Sequence, residues 1–134
     1  MTIESKQQGE TVKQTLEGMI TFKGETLYVR YMEPEEQGMG KTSTTIKFHF
    51  DELRIIRRGE VEAEQVFRMG EQMPGAYRIG PMRLAMETKL LELDNRLVRG
   101  LGTLSWRYEL HVDGQFVDYV QVNVRIAERM VGSE

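Results

Sequence analysis

From Thr103 to Val112 the chain alternates without a miss: Leu104, Trp106, Tyr108, Leu110 and Val112 at even positions, and Thr103, Ser105, Arg107, Glu109 and His111 at odd ones. Successive side chains of an extended backbone point to opposite faces, so this period of two makes the segment a half-buried β-strand. Even parity resumes after Asp113-Gly114 at Phe116, Val120, Val122, Val124 and Ile126, interrupted only by Asp118. The two segments form a hairpin. A two-residue loop would pair odd with even positions and set one strand's apolar face against the other's polar face. A three-residue loop with Gly114 in the left-handed conformation restores the match and is expected.

The same period runs through most of the chain. Val12, Leu16, Ile20 and Phe22 share even parity, whereas Leu27, Val29 and Tyr31 share odd parity. That change fits a two-residue turn at Gly24-Glu25, with glycine where a type II′ turn needs positive φ. The register then sets Gly18 opposite Tyr31, where a missing side chain makes room for a ring. Ile46, Phe48 and Phe50 alternate up to Asp51-Glu52, and parity passes to Leu53, Ile55 and Arg57. Beyond Arg58-Gly59 it stays odd through Val61, Ala63, Gln65, Phe67 and Met69. Met82, Leu84, Met86 and Leu90 are even, then Leu91 and Leu93 odd, which predicts a bulge or twist near Leu90. Helix-like spacing competes only over 84–97.

The spacing predicts strands at 2–7, 10–23, 26–32, 41–50, 52–58, 60–69, 75–80, 82–93, 103–112 and 115–127. Nearly all joins are hairpin-length, and the longer connections at 33–40, 70–75 and 94–102 are the expected mobile loops. An antiparallel meander without covering helices must curl shut to hide its edges and bury one face. The expected fold is therefore all-β, an up-and-down barrel of about eight to ten strands, as a single domain over residues 1–134. Hydrophobic residues at 40% and charged residues at 29% fit a globular chain and exclude a disordered one.

Chemistry is sparser. Lys and Arg number 18 against 21 Asp and Glu, a net charge of -3 and the wrong sign for a domain built on phosphate contacts, so no nucleic-acid partner is expected. With no cysteine, thiolate metal sites and cysteine nucleophiles are excluded, and His49 and His111 are the only imidazoles. Both fall on the polar parity of their strands and are read as outward-facing; no metal and no cofactor are expected. No signal-like or membrane-length apolar run is present, so no membrane partner and a cytoplasmic location are expected.

Gln37-Gly38-Met39-Gly40-Lys41-Thr42-Ser43 ends like a phosphate-binding loop. However, the first glycine of that pattern would fall at Glu35, and a strand follows where a helix N-terminus is needed. A Ser-His-Asp set with Ser43, Ser105 or Asp118 lacks any local pattern. Glu33, Glu35 and Glu36 crowd one loop, and Glu60, Glu62 and Glu64 line the polar side of a strand; both groups read as solvated surface that discourages edge pairing.

Parity points Arg57, Gln65, Thr44, Thr88 and Asp118 into the barrel beside Tyr31, Tyr77, Trp106 and Tyr108. A buried guanidinium is costly unless paired, so Arg57 either meets an internal acceptor such as Asp118, waits for an anionic ligand, or sits at an open end. Among the nine methionines, Met69, Met73, Met82 and Met86 cluster around two strands, as core filler or pocket lining.

At this point an ordered set of segments resembles a known family. Leu27-Tyr28-Val29-Arg30-Tyr31-Met32-Glu33, then Gly40-Lys41 with Thr44 or Thr45, then Ile56-Arg57-Arg58-Gly59 followed by Gln65-Val66-Phe67, are similar to successive strands of the YwiB-like bacterial proteins. So are Tyr77 with Leu84-Ala85-Met86-Glu87-Thr88, and Gly102 through Tyr108 with the final strand. The resemblance runs from about Glu10 to Glu128, departing at Met82, where the family tends to carry glycine, and in a shortened first strand. It implies a calycin-like, that is lipocalin-like, β-barrel in a family of unknown function, and no enzymology.

The expected activity is non-catalytic binding of a small apolar or amphipathic molecule, anionic if Arg57 anchors an acidic group. Arg57, Gln65, Tyr31, Tyr77, Trp106, Tyr108, Met86 and Asp118 are the candidate ligand-binding residues. Two alternatives stand beside it. One is a filled barrel acting as an interaction module or homodimer through outward Tyr28, Val117 and Tyr119. The other is an enzyme using Asp118 with Arg57.

Overall fold

The computed structural model describes residues 1–7, 9–34 and 40–128. Its strands are β1 (Thr2–Gln7), β2 (Glu10–Thr15), β3 (Met19–Lys23), β4 (Thr26–Met32), β5 (Thr42–His49), β6 (Glu52–Gly59), β7 (Val61–Phe67), β8 (Gln72–Ile79), β9 (Met82–Val98), β10 (Leu101–Val112) and β11 (Gln115–Ile126). They form one 11-stranded antiparallel sheet in the order β2-β1-β11-β10-β9-β8-β7-β6-β5-β4-β3. Everything from β3 to β11 is a meander. Among the described strands, β1 pairs out of sequence order with β11 (Ile3 opposite Val124, Gln7 opposite Val120).

The strand expected over 10–23 is two strands at opposite edges of the sheet. β2 pairs with β1, β3 pairs with β4, and residues 16–18 carry the chain between them, with Leu16 N donating to Met1 O at 2.8 Å. Parity is even on both sides of this break, so periodicity alone does not reveal it. Nor does Gly18 make room for the Tyr31 ring: a Cβ there would lie 2.9 Å from Met1 Cε and 3.4 Å from Arg30 O. β2 and β3 are not hydrogen-bonded to each other, so the curled sheet is a partly open barrel with these two strands at its edges. Ile20 and Phe22 of β3 reach the β9–β10 turn, where a Cβ on Gly100 would stand 3.0 and 3.4 Å from them.

Two bulges set the register. Opposite Arg107 and Tyr108 stand Glu92 and Leu90, leaving Leu91 as the extra residue, as the parity change near Leu90 predicts. The β10–β11 hairpin differs from the expected three-residue loop. Val112 pairs with Gln115 across a two-residue turn in which Asp113 (φ 51) and Gly114 (φ 80) are both left-handed, the type I′ geometry that Asp-Gly favours. The parity mismatch is repaired further along, where Val117 bulges and Leu110 meets Asp118. From there Tyr108 faces Val120, Trp106 faces Val122 and Leu104 faces Val124.

Residues 72–75, 94–98 and 101–102 are strand rather than loop, while 70–71 and 99–100 lie in tight turns. Asp94, Asn95 and Arg96 extend β9 as an exposed ribbon that ends in a tight turn at Arg99 (φ 55) and Gly100 (φ 80). Pro74 and Gly75 lie inside β8, and Gly75 is small because the Glu64 carbonyl would stand 2.7 Å from a Cβ. Phe50 is not the third core residue of its strand; it occupies the β5–β6 turn at φ 53 and is 69% exposed. Met69 and Met82 are also exposed, leaving Met86 as the buried methionine of its cluster.

The interior is built from odd-parity residues of β4, β6 and β7 and even-parity ones of β5, β10 and β11. Val29, Leu53, Phe67, Leu90, Leu104 and Val124 are almost wholly buried. Each such side chain contributes about 1.5–3 kcal/mol of transfer free energy. Phe67 lies at the centre, its ring 4.6 Å from Tyr108 and 6.3 Å from Trp106.

Candidate functional site

Register places Tyr31, Thr44, Arg57, Ala63, Tyr77 and Leu84 in one row across β4 to β9. The next row carries Val29, Ile46, Ile55 and Gln65. Cross-strand neighbours on one face are in contact range, so these rows gather the polar residues of distant segments at one place. They bound a cavity of about 330 Å³ inside the barrel. Its opposite wall comes from Trp106, Tyr108, Val120 and Val122 on β10 and β11 and from Ile3, Ser5, Gln7, Val12 and Gln14 on β1 and β2.

Arg57, Gln65, Tyr31, Tyr77, Trp106, Tyr108 and Met86 all line this cavity. Asp118 does not. Beyond the bulge it lies in a shallow outer depression with Lys6 and Arg107, and its Oδ1 accepts from Tyr119 N at 2.8 Å. Of the fates left open for Arg57, pairing with Asp118 is therefore not the one realised, and the two are not brought together as an acid and cation for an enzyme.

The partner of Arg57 is Glu33, with Nε 3.6 Å from Oε2. The Glu33 side chain is 2% exposed, so it is no part of a solvated acidic loop. Its backbone N donates to Thr42 O at 2.9 Å, and its carboxylate accepts from the Thr44 hydroxyl. A signal for it exists in the sequence, since Glu33 continues the odd parity of Leu27, Val29 and Tyr31. Glu35 and Glu36 lie outside the described residues.

The Gly40-Lys41-Thr42 segment holds a carboxylate of the protein's own. Lys41 N donates to Glu60 Oε2 at 2.5 Å, Glu60 N donates back to Lys41 O at 3.1 Å, and Val61 N donates to Thr42 Oγ1 at 3.1 Å. Gln37, Gly38 and Met39 lie outside the described residues. Glu62 and Glu64 are on a central strand, not an edge, and pair with Arg78 and Arg54. His49 Nδ1 meets Thr26 Oγ1 at 2.7 Å and His111 Nε2 meets Glu109 Oε1 at 3.1 Å; neither ring lines the cavity, nor do Ser43 and Ser105. No group of three or more His, Asp or Glu is gathered among the described residues as a metal site.

Two residues that line the cavity carry a buried donor with no hydrogen-bond acceptor among the described residues: Trp106 at Nε1, and Arg57 at Nε, which is 3.6 Å from Glu33 Oε2. Gln65 Nε2 has the Met86 sulfur at 3.4 Å. Burial, reinforced by the Glu33 charge, pushes the Tyr31 phenol far above its ordinary range; burial likewise raises Tyr108, with Arg57 and Gln65 pulling the other way. Both phenols therefore stay neutral to a higher pH in the folded barrel than in the unfolded chain. Unfolded phenols ionise near pH 10, so these two residues remove stability as pH rises past about 10. In a spectrophotometric titration their phenolate absorbance is expected only with alkaline unfolding. A rise from all five tyrosines before the near-ultraviolet dichroism changes would contradict this burial.

Outside the barrel, Tyr28 is flanked by Lys23 and Lys47, whose ammonium groups are 5.5 and 5.7 Å from its ring. Val117 and Tyr119 are exposed on β11, with Phe116 5.1 Å from Tyr119, so the three outward residues named from sequence are split between two distant strands. A wider groove of about 820 Å³ lies at the open side of the barrel, lined by Leu16, Ile20, Phe22 and Leu101.

The profile of the family described as "Domain of unknown function (DUF1934)" matches residues 1–124. The chain is 26% identical over 110 residues to the "Uncharacterized beta-barrel protein YwiB" of Bacillus subtilis (strain 168), covering 82% of this chain and 76% of that protein. The crystal structure of the ywiB protein from Bacillus subtilis superposes with a TM-score of 0.76 at 22% identity, over 94% of this chain and 89% of that one. A likeness at that identity speaks for the shared fold.

Proposed function

Since the chain belongs to the DUF1934 family and shares its β-barrel, we propose that it is a non-catalytic binding protein that takes a small apolar or amphipathic molecule into the barrel. The observation that carries this reading is the cavity of about 330 Å³ inside the barrel, lined by Trp106, whose buried Nε1 has no acceptor among the described residues. Buried polar groups in folded proteins are nearly always satisfied, and each one left unpaired costs about 1–3 kcal/mol. A ligand with acceptor atoms removes that cost. The remaining walls mix apolar and aromatic side chains such as Ile46, Phe67 and Val122 with Ser5, Gln7, Gln14 and Gln65, a lining suited to an amphipathic molecule.

Native mass spectrometry of the protein purified gently from the organism that makes it tests the reading. A stoichiometric extra mass is expected, and Val122→Phe, which fills the cavity from β11, is expected to abolish it. A bare protein at dimer mass would replace this reading with a filled barrel joined through the exposed Phe116, Val117 and Tyr119.

A further inference from the structure

We infer that the ligand group recognised in the barrel is an uncharged hydrogen-bond acceptor, such as the carbonyl of a ketone or amide, and not a carboxylate. The inference rests on the binding reading above and concerns the chemistry at its polar end. Arg57 and Glu33 are the charged residues that line the cavity, and they stand 3.6 Å apart as an ion pair. The site thus carries no net charge. A ligand carboxylate close enough to meet Arg57 would also meet the Glu33 carboxylate, and would surrender its own hydration without a free counter-charge.

A neutral carbonyl escapes both penalties. What the cavity offers it is uncharged donors, the amides of Gln7, Gln14 and Gln65 and the hydroxyl of Tyr77, while Arg57 Nε is turned to Glu33. Glu33 is itself held by the Thr44 hydroxyl and by its own backbone bond to Thr42, so it does not swing aside for an incoming anion. As for size, an apolar cavity of about 150 Å³ accepts benzene, so about 330 Å³ holds roughly a dozen non-hydrogen atoms.

The test uses octanoate, octanamide and 2-nonanone, matched probes of about ten non-hydrogen atoms each. Affinities are measured by calorimetry on the full chain. Trp106 is the single tryptophan, so its emission reports whether a probe enters the cavity. The ketone and amide are expected to bind at least about tenfold more tightly than octanoate. Glu33→Gln, which keeps an acceptor for Thr44 but frees the Arg57 charge, is expected to tighten octanoate by at least about tenfold. Octanoate binding wild type as tightly as the ketone would overturn the inference while leaving the binding reading in place. Failure of Glu33→Gln to improve octanoate would overturn it too. Should that variant not fold, the wild-type ranking decides alone. No change in Trp106 emission with any probe would overturn the cavity reading and the inference together.

Discussion

Gly59→Ala is expected to destabilise the barrel by about 4 kcal/mol, the sum of a strained backbone and a steric clash that cannot relax. Gly59 ends β6 at φ 135, a conformation L side chains rarely adopt, and an added Cβ would lie 2.1 Å from Lys41 O and 3.0 Å from Thr42 Cα. Both neighbours are backbone and are held in place: Lys41 O accepts from Glu60 N, and buried Thr42 accepts from Val61 N. The control is Gly80→Ala. Gly80 is also left-handed (φ 55), but a Cβ there meets nothing within 4 Å, so its cost is the conformational one, about 1 kcal/mol. Denaturant midpoints of the two variants check this, and equal shifts would mean that Lys41 does not approach Gly59 closely. Thr42 also accepts from Glu33 N, so the same distortion would reach the polar end of the cavity.

Arg57→Ala is expected to cost about 3 kcal/mol, because it leaves the buried Glu33 carboxylate without its cation; removing one partner of a buried pair typically costs 3–5 kcal/mol. The lower end applies since the Arg57 side chain is 20% exposed and part of its charge is already solvated. The double variant Glu33→Gln/Arg57→Met is expected to return to within about 1 kcal/mol of wild type, since neither side chain then carries a charge. Unfolding curves for the two single variants and the double complete a cycle that isolates the coupling. A cost below about 1 kcal/mol for Arg57→Ala would show the pair to be effectively solvated. Such a loss would also confound any binding assay on Arg57→Ala, so Glu33→Gln is the cleaner probe of recognition.

The candidate site was legible where parity is uninterrupted. Tyr31, Arg57, Gln65, Trp106 and Tyr108 were assigned inward by period two alone and all line the cavity. Asp118 was misplaced because parity was carried across Val117, where a bulge separates it from the cavity. Glu33 misleads for the opposite reason: its charge and its acidic neighbours suggest a solvated loop, although its position continues the inward parity of Tyr31. Composition misled again at Pro74-Gly75 and at Asp94-Asn95-Arg96, where loop-like residues are strand because a neighbouring backbone pairs with them.

Local sequence settles the face to which most side chains turn, because alternation along an extended backbone is a property of local covalent geometry. It likewise determined the meander, since hairpin-length joins leave antiparallel neighbours as the accessible arrangement. Long-range packing sets where one apparent strand breaks between Thr15 and Met19, that β1 closes against β11, and that Glu33 meets Arg57. Those outcomes depend on how far the sheet curls and on the bulges at Leu91 and Val117. Curl and register are set by contacts between residues far apart in the chain, which no local pattern of side chains encodes.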